Sequence, residues 1–322
     1  MTTTEQNWLL VGLVTIGGIA LWLMYAPDQG AKWESYITAA QQAYQQAEYA
    51  EAEKQLEAAL KEAEAFGPDD VRLATSLNNL AALYHAQGKY AEAEPLYQRA
   101  LAIRENALEP EHPDVATSLN NLAELYRAQG KYAESEPLHQ RALAIREKAF
   151  GPEHPDVATS LNNLALIYDA QSRYGEAEPL YKRALAILEK ALGPEHPRVA
   201  TSLNNLAELY RIQGKYAEAE PLYKRALAIN EKALGPAHPQ VATSLNNLAL
   251  IYDAQGRHGE AEPLYKRALA VWEKALGPEH PDVAKSLANY AALLRKTDRD
   301  VEAEMLEARA KAIQAKHAKE NP

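Results

Sequence analysis

Histidine binds metal ions and moves protons near neutral pH, and this sequence places one before a proline at regular intervals. These histidines are His112, His154, His196, His238 and His280, and each lies 42 residues from the next. If the copies belong to stacked repeats, they stand about 8–10 Å apart, too far to share an ion with bonds of about 2 Å. We therefore interpret them as turn or helix-cap residues and expect no metal site.

Short motifs that hold cofactors or catalytic metals are missing. The sequence contains no GxxxxGK[ST] loop, no GxGxxG and no HExxH. It has no cysteine, which excludes a thiolate zinc site and a cysteine nucleophile. Its formal charge is −10, without a cluster of Lys and Arg of the kind that binds nucleic acid. We expect no enzymatic activity, no cofactor, no nucleic acid and no small-molecule substrate.

Paired asparagines form the second regularly spaced polar feature. The phrase ATSLNNLA occurs five times unchanged, starting at Ala74, Ala116, Ala158, Ala200 and Ala242. Asparagine is a poor helix former because its amide competes with the backbone for hydrogen bonds. A doubled asparagine within a helical pattern therefore indicates a polar wall. Each carboxamide offers a donor and an acceptor together.

The elements that must position these side chains repeat along most of the chain. Thr75 and its copies recur every 42 residues, and a strict period of this size indicates a solenoid. Within one period, residues 113–129 and 132–150 carry apolar side chains at helical spacing, and Gly130 and Gly151 provide stop signals. Nothing in the period has the pattern of a strand. The sequence predicts an all-α fold of about seven helix pairs.

The motif Asn-Leu-Ala-x-x-Tyr-x-x-x-Gly-Lys-Tyr-x-Glu-Ala, followed by Tyr-x-x-Ala-Leu-x-Ile, resembles the tetratricopeptide repeat. In one copy the signature positions are Leu80, Ala81, Tyr84, Gly88, Ala93, Tyr97 and Ala100. The 42-residue period, the linker Leu-Gly-Pro-Glu-His-Pro and the phrase Leu-Asn-Asn-Leu-Ala are similar to the repeats of kinesin light chains and their bacterial relatives. The resemblance implies a right-handed α-solenoid over residues 32–316, with a tail at 317–322. Its pairs lie near 32–67, 71–109, 113–151, 155–193, 197–235, 239–277 and 281–316.

The resemblance also implies that the first helix of each pair lines a concave groove. In related domains, the asparagine at the place of Asn121 often bonds the backbone of a bound peptide. Its copies in this chain are Asn79, Asn121, Asn163, Asn205, Asn247 and Asn289. The alternative is an asparagine ladder, in which each amide bonds the adjacent helix and fixes the registry of the repeats. Both hypotheses stay open at this point.

A line of charged positions runs beside the asparagines. Alternate pairs read AELYR and ALIYD, which makes the true unit 84 residues long and predicts one wall of the groove from His85, Arg127, Asp169, Arg211, Asp253 and Arg295. Glu124, Glu208, Lys285 and Lys296 add to this wall. The charges either pair between neighbouring repeats or present a striped surface to an extended chain. Lys285, Arg295 and Lys296 make the C-terminal end basic, which suits an acidic peptide segment.

The first residues differ in kind from the repeats. Residues 8–25, WLLVGLVTIGGIALWLMY, carry no charge and would span roughly 27 Å as a helix. A cleaved secretory signal is the alternative, but the start MTTTEQN has no basic residue and Pro27 follows the place where cleavage would be sought. We expect an uncleaved single-pass anchor after a tail at 1–7, followed by a linker at 26–31. Lys32, the only basic residue near it, weakly favours a cytoplasmic C-terminal domain.

Together these features predict a membrane-anchored scaffold that binds an extended peptide or a partner protein in its groove. The near-identity of the repeats favours an extended ligand over one small pocket. The alternative is a structural spacer or assembly hub that uses its outer or end surfaces, in which case the asparagines serve only repeat registry.

Overall fold

A computed structural model describes residues 29–46 and 48–320, which form fourteen α-helices and no strand. The predicted membrane anchor at 8–25 lies outside these residues, and none of the helices described is long and apolar enough to cross a membrane. This all-α helical repeat architecture confirms the predicted fold class. The helices are α1 (Gln29–Gln45), α2 (Tyr49–Glu64), α3 (Val71–Ala86), α4 (Tyr90–Ala107), α5 (Pro113–Ala128), α6 (Tyr132–Phe150), α7 (Pro155–Ala170), α8 (Tyr174–Leu192), α9 (Pro197–Ile212), α10 (Tyr216–Leu234), α11 (Pro239–Ala254), α12 (His258–Leu276), α13 (Pro281–Lys296) and α14 (Asp300–Glu320).

The helices form seven antiparallel pairs, numbered one to seven from α1–α2 to α13–α14. The histidine before each first helix from pair three onward is its N-cap, and its Nδ1 accepts a hydrogen bond from the backbone N–H two residues later. At His112 this bond to the Asp114 N–H is 3.1 Å long. The residue that follows is proline, which has no backbone N–H. At the first helical position this N–H would have no partner within the helix, so its absence costs nothing. The cap role predicted for these histidines is confirmed.

The described residues divide into two compact units, the first ending at Glu109 and the second beginning at Pro110. The division falls at the linker where Glu109 stands in place of the glycine that ends the second helices of pairs three to six. Gly193, for example, has φ +86° and ψ 154°, a conformation essentially restricted to glycine. Without a glycine here, α4 stops at Ala107, and Leu108 continues as extended chain.

In the second unit, α5 to α14 pack through small alanines and a few large side chains. Ala158 and Leu161 of α7, and Ala184 of α8, are fully buried in one cluster with Val199 and Leu203 of α9. Alanine at these contacts lets the helices approach closely, and each buried leucine contributes about 1.5–3 kcal/mol. In the first unit, α1 to α4 pack in the same way, and the Trp33 indole donates to the Ser76 hydroxyl at 2.8 Å.

Tyrosine–glutamate hydrogen bonds join successive pairs of the second unit. Tyr210, Tyr252 and Tyr290 of the first helices donate to Glu178, Glu220 and Glu262 of the preceding second helices, at 3.0, 3.3 and 2.9 Å. Lys and Arg side chains bind the same carboxylates, as Arg257 binds Glu220. These bonds fix the registry of each pair on the next.

Glu262→Gln is expected to reduce the loss of folding stability that the parent shows at acidic pH. Hydrogen bonds from Lys266, Arg299 and Tyr290 lower the pKa of Glu262 from 4.5 to about 2. Because the folded-state pKa is the lower one, this carboxylate stabilises the fold above about pH 4.5, and the contribution disappears as the pH falls towards about 2. Thermal unfolding across this window should show a smaller loss for Glu262→Gln than for the parent. Glu304→Gln, at an exposed position of α14, is the control and should follow the parent.

Candidate functional site

The asparagine at the place of Asn121 lies on the first helix of each of the helix pairs two to seven, and it is half-buried in all six copies. This holds for Asn79, Asn121, Asn163, Asn205, Asn247 and Asn289. None of them points freely into bulk solvent and none is sealed beneath a neighbouring helix. Their amides therefore lie at a surface where neighbouring helices and a ligand can both compete for them.

The asparagine ladder exists at part of this surface. Asn163 Nδ2 donates to Asn120 Oδ1 at 2.9 Å, one pair earlier. Asn289 Nδ2 makes the same bond to Asn246 Oδ1 at 3.2 Å. Asn163 and Asn289, predicted to bind a peptide, thus take part in repeat registry. The first asparagines also join pairs, because Asn162 Oδ1 accepts from the hydroxyl of Ser202 at 3.3 Å.

Asn205 and Asn247 differ from these ladder asparagines. Their carboxamides make no hydrogen bond to any part of the chain that the structure describes, and both line one polar pocket of about 280 Å³. We name it the amide pocket. It lies between α9, α10 and α11 and is lined by Thr201, Asn204, Asn205, Glu208, Asn230, Gln240, Thr243 and Asn247. The structure thus brings three predicted site residues, Asn205, Glu208 and Asn247, together.

Two further asparagines and a serine form the floor of the amide pocket. Asn204 Nδ2 and Asn230 Nδ2 both donate to the Ser244 hydroxyl, at 3.3 and 3.2 Å. The Oδ1 atoms of the same two asparagines are buried and have no hydrogen-bond partner among the described residues. Because these two oxygens are buried, they lie beneath the surface of the pocket.

The sequence reasoning missed Asn230, although the sequence held a signal for it. This position of the second helix is buried or half-buried in every copy, yet it varies in otherwise near-identical repeats. Its occupants are Arg104, Arg146, Leu188, Asn230 and Trp272. Because this buried residue differs between pairs whose surrounding residues are nearly identical, it gives each pair a different local environment.

The charges beside the asparagines pair mostly within one helix. Arg127 Nε donates to Glu124 at 2.9 Å, and the Arg211 guanidinium binds both oxygens of Glu208 at 2.7 and 2.6 Å. This is the spacing of three residues that places side chains on one helix face. His85, at the start of the predicted wall, lies edge-on against Tyr90 with ring centroids 5.6 Å apart.

Burial and pairing act in opposite directions on the wall carboxylates. Burial disfavours ionisation of Glu208, but hydrogen bonds from Arg211 and Tyr223 outweigh it and hold the pKa of Glu208 below its ordinary value. At Glu124, hydrogen bonds from His139 and Arg127 likewise outweigh burial and lower its pKa. Both wall glutamates are therefore charged at neutral pH.

The aspartates of the alternate pairs have different surroundings. Asp169 has a buried Oδ1 without a hydrogen-bond partner in the described chain, and burial together with nearby Glu208 raises the pKa of Asp169. Asp253 of pair six instead accepts from Lys296 of pair seven at 2.9 Å. This is a charge pair between neighbouring repeats, as the alternating-charge interpretation expects.

Cations at the C-terminal end of the wall have acidic neighbours. Lys285 binds Asp282 at 3.2 Å. Arg295 binds Glu307 through two nitrogens at 2.9 and 3.0 Å and Asp300 at 3.1 Å. With Lys296 bound to Asp253, all three predicted basic residues are neutralised locally. An acidic ligand would have to displace these internal partners.

Among the described residues, no group of three or more His, Asp or Glu side chains is arranged to hold a metal ion. The polar side chains of the amide pocket are amides, hydroxyls and one carboxylate already bound by Arg211 and Tyr223. Such a set can exchange hydrogen bonds with a ligand at equilibrium.

Comparisons with known proteins agree with this architecture. The profile of the tetratricopeptide repeat matches residues 34–106, 72–147, 114–190, 170–232, 198–274 and 241–316. None of the curated proteins is similar enough to this chain to be matched. Proteins with this repeat are generally protein–protein interaction scaffolds and typically not enzymes.

Several solved structures are similar to this chain. A putative kinesin light chain from Podosopora anserina with nearly identical TPR-like repeats is 34% identical, over 64% of this chain and 98% of that one, with a TM-score of 0.54. BtubC from P. vanneervenii is 26% identical, over 71% and 89%, with a TM-score of 0.56. Aspartyl phosphate phosphatase F from Bacillus subtilis, at 14% identity over 92% and 74% and a TM-score of 0.69, shares the fold alone. The chain belongs to the tetratricopeptide repeat family, with repeats of the kinesin-light-chain type, as its repeated motif predicts.

Proposed function

We propose that this protein is a membrane-anchored scaffold that binds an extended peptide segment of a partner protein along its first helices. One observation carries the proposal. Asn205 and Asn247 stand one repeat apart, line the same pocket and have no hydrogen-bond partner within the described chain. A half-buried amide without a partner is costly unless water or a ligand satisfies it.

An extended peptide suits this arrangement. Each of its residues offers one N–H and one C=O, the complement of a carboxamide. Neighbouring first helices stand about 8–10 Å apart, a distance that about three residues of extended chain cover. Asn205 and Asn247 can therefore hold two peptide groups of one segment and fix its direction along the groove.

Replacing Asn205 and Asn247 together by Ala is expected to weaken peptide binding at least about 30-fold. Up to four hydrogen bonds are lost, each worth about 0.5–1.5 kcal/mol, and a loss of about 2 kcal/mol corresponds to that factor. The probe is the tightest synthetic peptide selected from a random library against the full chain, measured by calorimetry.

The matched control replaces Asn163 and Asn289 by Ala. These asparagines occupy the same repeat position but bond Asn120 and Asn246. We expect this control to lower thermal stability while the affinity stays within about threefold of the parent. Equal affinities for the parent and the Asn205, Asn247 variant would overturn the proposal and favour the spacer or hub.

The spacer or hub is a second candidate because a specific observation favours it. The bonds from Asn163 to Asn120 and from Asn289 to Asn246 join neighbouring pairs, as a registry function requires. In that function the outer or end surfaces would carry the contact. An acidic segment bound near Lys285 and Arg295 stays a prediction, and it requires those side chains to leave Asp282 and Glu307.

The anchor is proposed from residues 8–25, whose uncharged length suffices to cross a bilayer. We expect the full-length chain to remain in the membrane pellet after carbonate extraction, with the repeats on the cytoplasmic side. A chain that starts at Gln29 is the control and should be released. Release of the full-length chain into the supernatant would remove the anchor from the proposal.

A further inference from the structure

The last helix, α14, carries apolar side chains on two sides. One side is buried against the preceding helices through Ala303, Ala310 and Ile313. The other side is exposed, and we name it the α14 stripe; its members, at spacings that alternate between four and three residues, are Val301, Met305, Ala308, Ala312 and Ala315. Val301 and Met305 are 75% and 69% exposed, more than any other large apolar side chain among the described residues. Alternating spacings of four and three are those of a coiled-coil seam.

The α14 stripe departs from the repeat that the inner pairs share. The equivalent residues of α12 are Gly259, Pro263, Lys266, Ala270 and Glu273. A helix that ends an array of repeats faces water, so we expect it to be more polar than the inner copies. At the α14 stripe the change is the reverse, because a methionine replaces a proline and alanines replace a lysine and a glutamate. This indicates that another protein surface covers the stripe.

The two halves of α14 are complementary to each other in charge and in size. Residues 300–307 contain four acidic side chains and no basic one, whereas residues 308–319 contain four Lys or Arg and no acidic one. Val301 and Met305 lie in the acidic half, and the three alanines of the stripe lie in the basic half. Two antiparallel copies of α14 therefore bring acidic residues beside basic ones and large side chains beside small ones. Two parallel copies would place like charges side by side.

We propose that the α14 stripe is the contact of an antiparallel homodimer. Met305 of one copy packs against Ala308 of the second copy, and Val301 packs against Ala312.

Charged residues beside the stripe fix this register. Glu304 of each copy stands next to Lys311 of the other, and both side chains are exposed without a hydrogen bond or ion pair within the described chain. The contact is isologous, so each of these interactions occurs twice around one two-fold axis. The dimer does not depend on peptide binding in the groove, because none of its residues lines the amide pocket.

Disulfide crosslinking of the full chain in detergent tests the orientation, and an introduced cysteine is the only thiol because the chain has none. Val301→Cys and Ala312→Cys are prepared with tags of different size, oxidised separately and as a mixture, and resolved by non-reducing electrophoresis. We expect the mixture to give the mixed dimer and neither variant to crosslink alone. Eleven residues of helix place like cysteines about 17 Å apart along an antiparallel pair, whereas a disulfide requires Cα atoms within about 7 Å.

Ala270→Cys is the matched control, because Ala270 is exposed at the place of Ala312 on the inner helix α12. Its mixture with Val301→Cys should stay uncrosslinked.

Charge exchange tests the register without a cysteine. Glu304→Lys and Lys311→Glu, each alone, should weaken dimerisation about tenfold in sedimentation equilibrium, because each places like charges together twice. The variant with both changes restores the opposite charges and should return to within about threefold of the parent. Both positions are exposed, so thermal unfolding of the three variants should follow the parent.

Three results would overturn the antiparallel dimer. Crosslinking of Val301→Cys with itself would show a parallel pair. A mixture of Val301→Cys and Ala312→Cys that stays uncrosslinked, with a parent chain that sediments as a monomer, would leave the α14 stripe to a protein of different sequence. Single charge variants that dimerise as tightly as the parent would contradict the contact between Glu304 and Lys311.

Discussion

Trp272→Ala is expected to destabilise the last two helix pairs by about 3–5 kcal/mol, the cost of a large buried aromatic side chain replaced by a methyl group. Trp272 of α12 is 6% exposed and packs in one cluster with Leu245 of α11 and Leu287 of α13. Trp272 thus packs at the contact between pairs six and seven. Because each pair of a repeat protein is stabilised chiefly by its neighbours, the effect should be local.

Native-state hydrogen exchange measures this local effect directly. In Trp272→Ala, amides of α11 to α14 should exchange faster, while those of α7 and α8 keep their parental protection. Trp272→Leu is the matched variant, because Leu188 fills the equivalent position of pair four, and we expect a smaller loss. Equal protection of α11 to α14 in Trp272→Ala and the parent would contradict this packing role.

Tyr223→Phe is expected to cost about 1.5–3 kcal/mol, the value of a hydrogen bond to a charged group. Tyr223 is fully buried and donates to Glu208 Oε2 at 2.8 Å. Burial raises the pKa of Tyr223, so its hydroxyl stays protonated as a donor. Its loss leaves a half-buried carboxylate with Arg211 alone.

Tyr265→Phe makes the same chemical change one pair later and should be neutral or slightly stabilising. Its hydroxyl is buried without a partner among the described residues, and Leu250 occupies the place that Glu208 has in pair five. Thermal midpoints of the two variants provide the comparison. A larger loss of stability for Tyr265→Phe than for Tyr223→Phe would contradict the stabilising role of the Tyr223–Glu208 hydrogen bond.

The repeat sequence predicted the helices well because their signals are local. The apolar spacing and the glycine stop gave residues 132–150, which is the observed span of α6. The proline after His112 marked the start of α5, where the cap was found. The division at Glu109 was not predicted, although this linker visibly lacks the glycine of the later ones.

The site could be predicted only in part, because copies of an identical sequence motif make different tertiary contacts. Asn163 and Asn205 stand in the same eight-residue phrase, yet Asn163 bonds Asn120 and Asn205 bonds nothing in the described chain. The difference arises from side chains far away in sequence. Asn120 also contacts His139, whereas Asn205 lines the amide pocket together with Asn230. Such tertiary contacts leave no trace in a local motif.

Photocrosslinking at one groove position tests the central claim that a peptide lies along Asn205 and Asn247. A benzophenone amino acid placed at Thr243, an exposed residue that lines the amide pocket, should crosslink the selected peptide. The same group at Ala228, exposed on the second helix α10, should not. Crosslinks at Thr243 that disappear when Asn205 and Asn247 are replaced by Ala are the predicted result. Crosslinks from Ala228 but not from Thr243 would contradict the groove and place the contact on the outer surface.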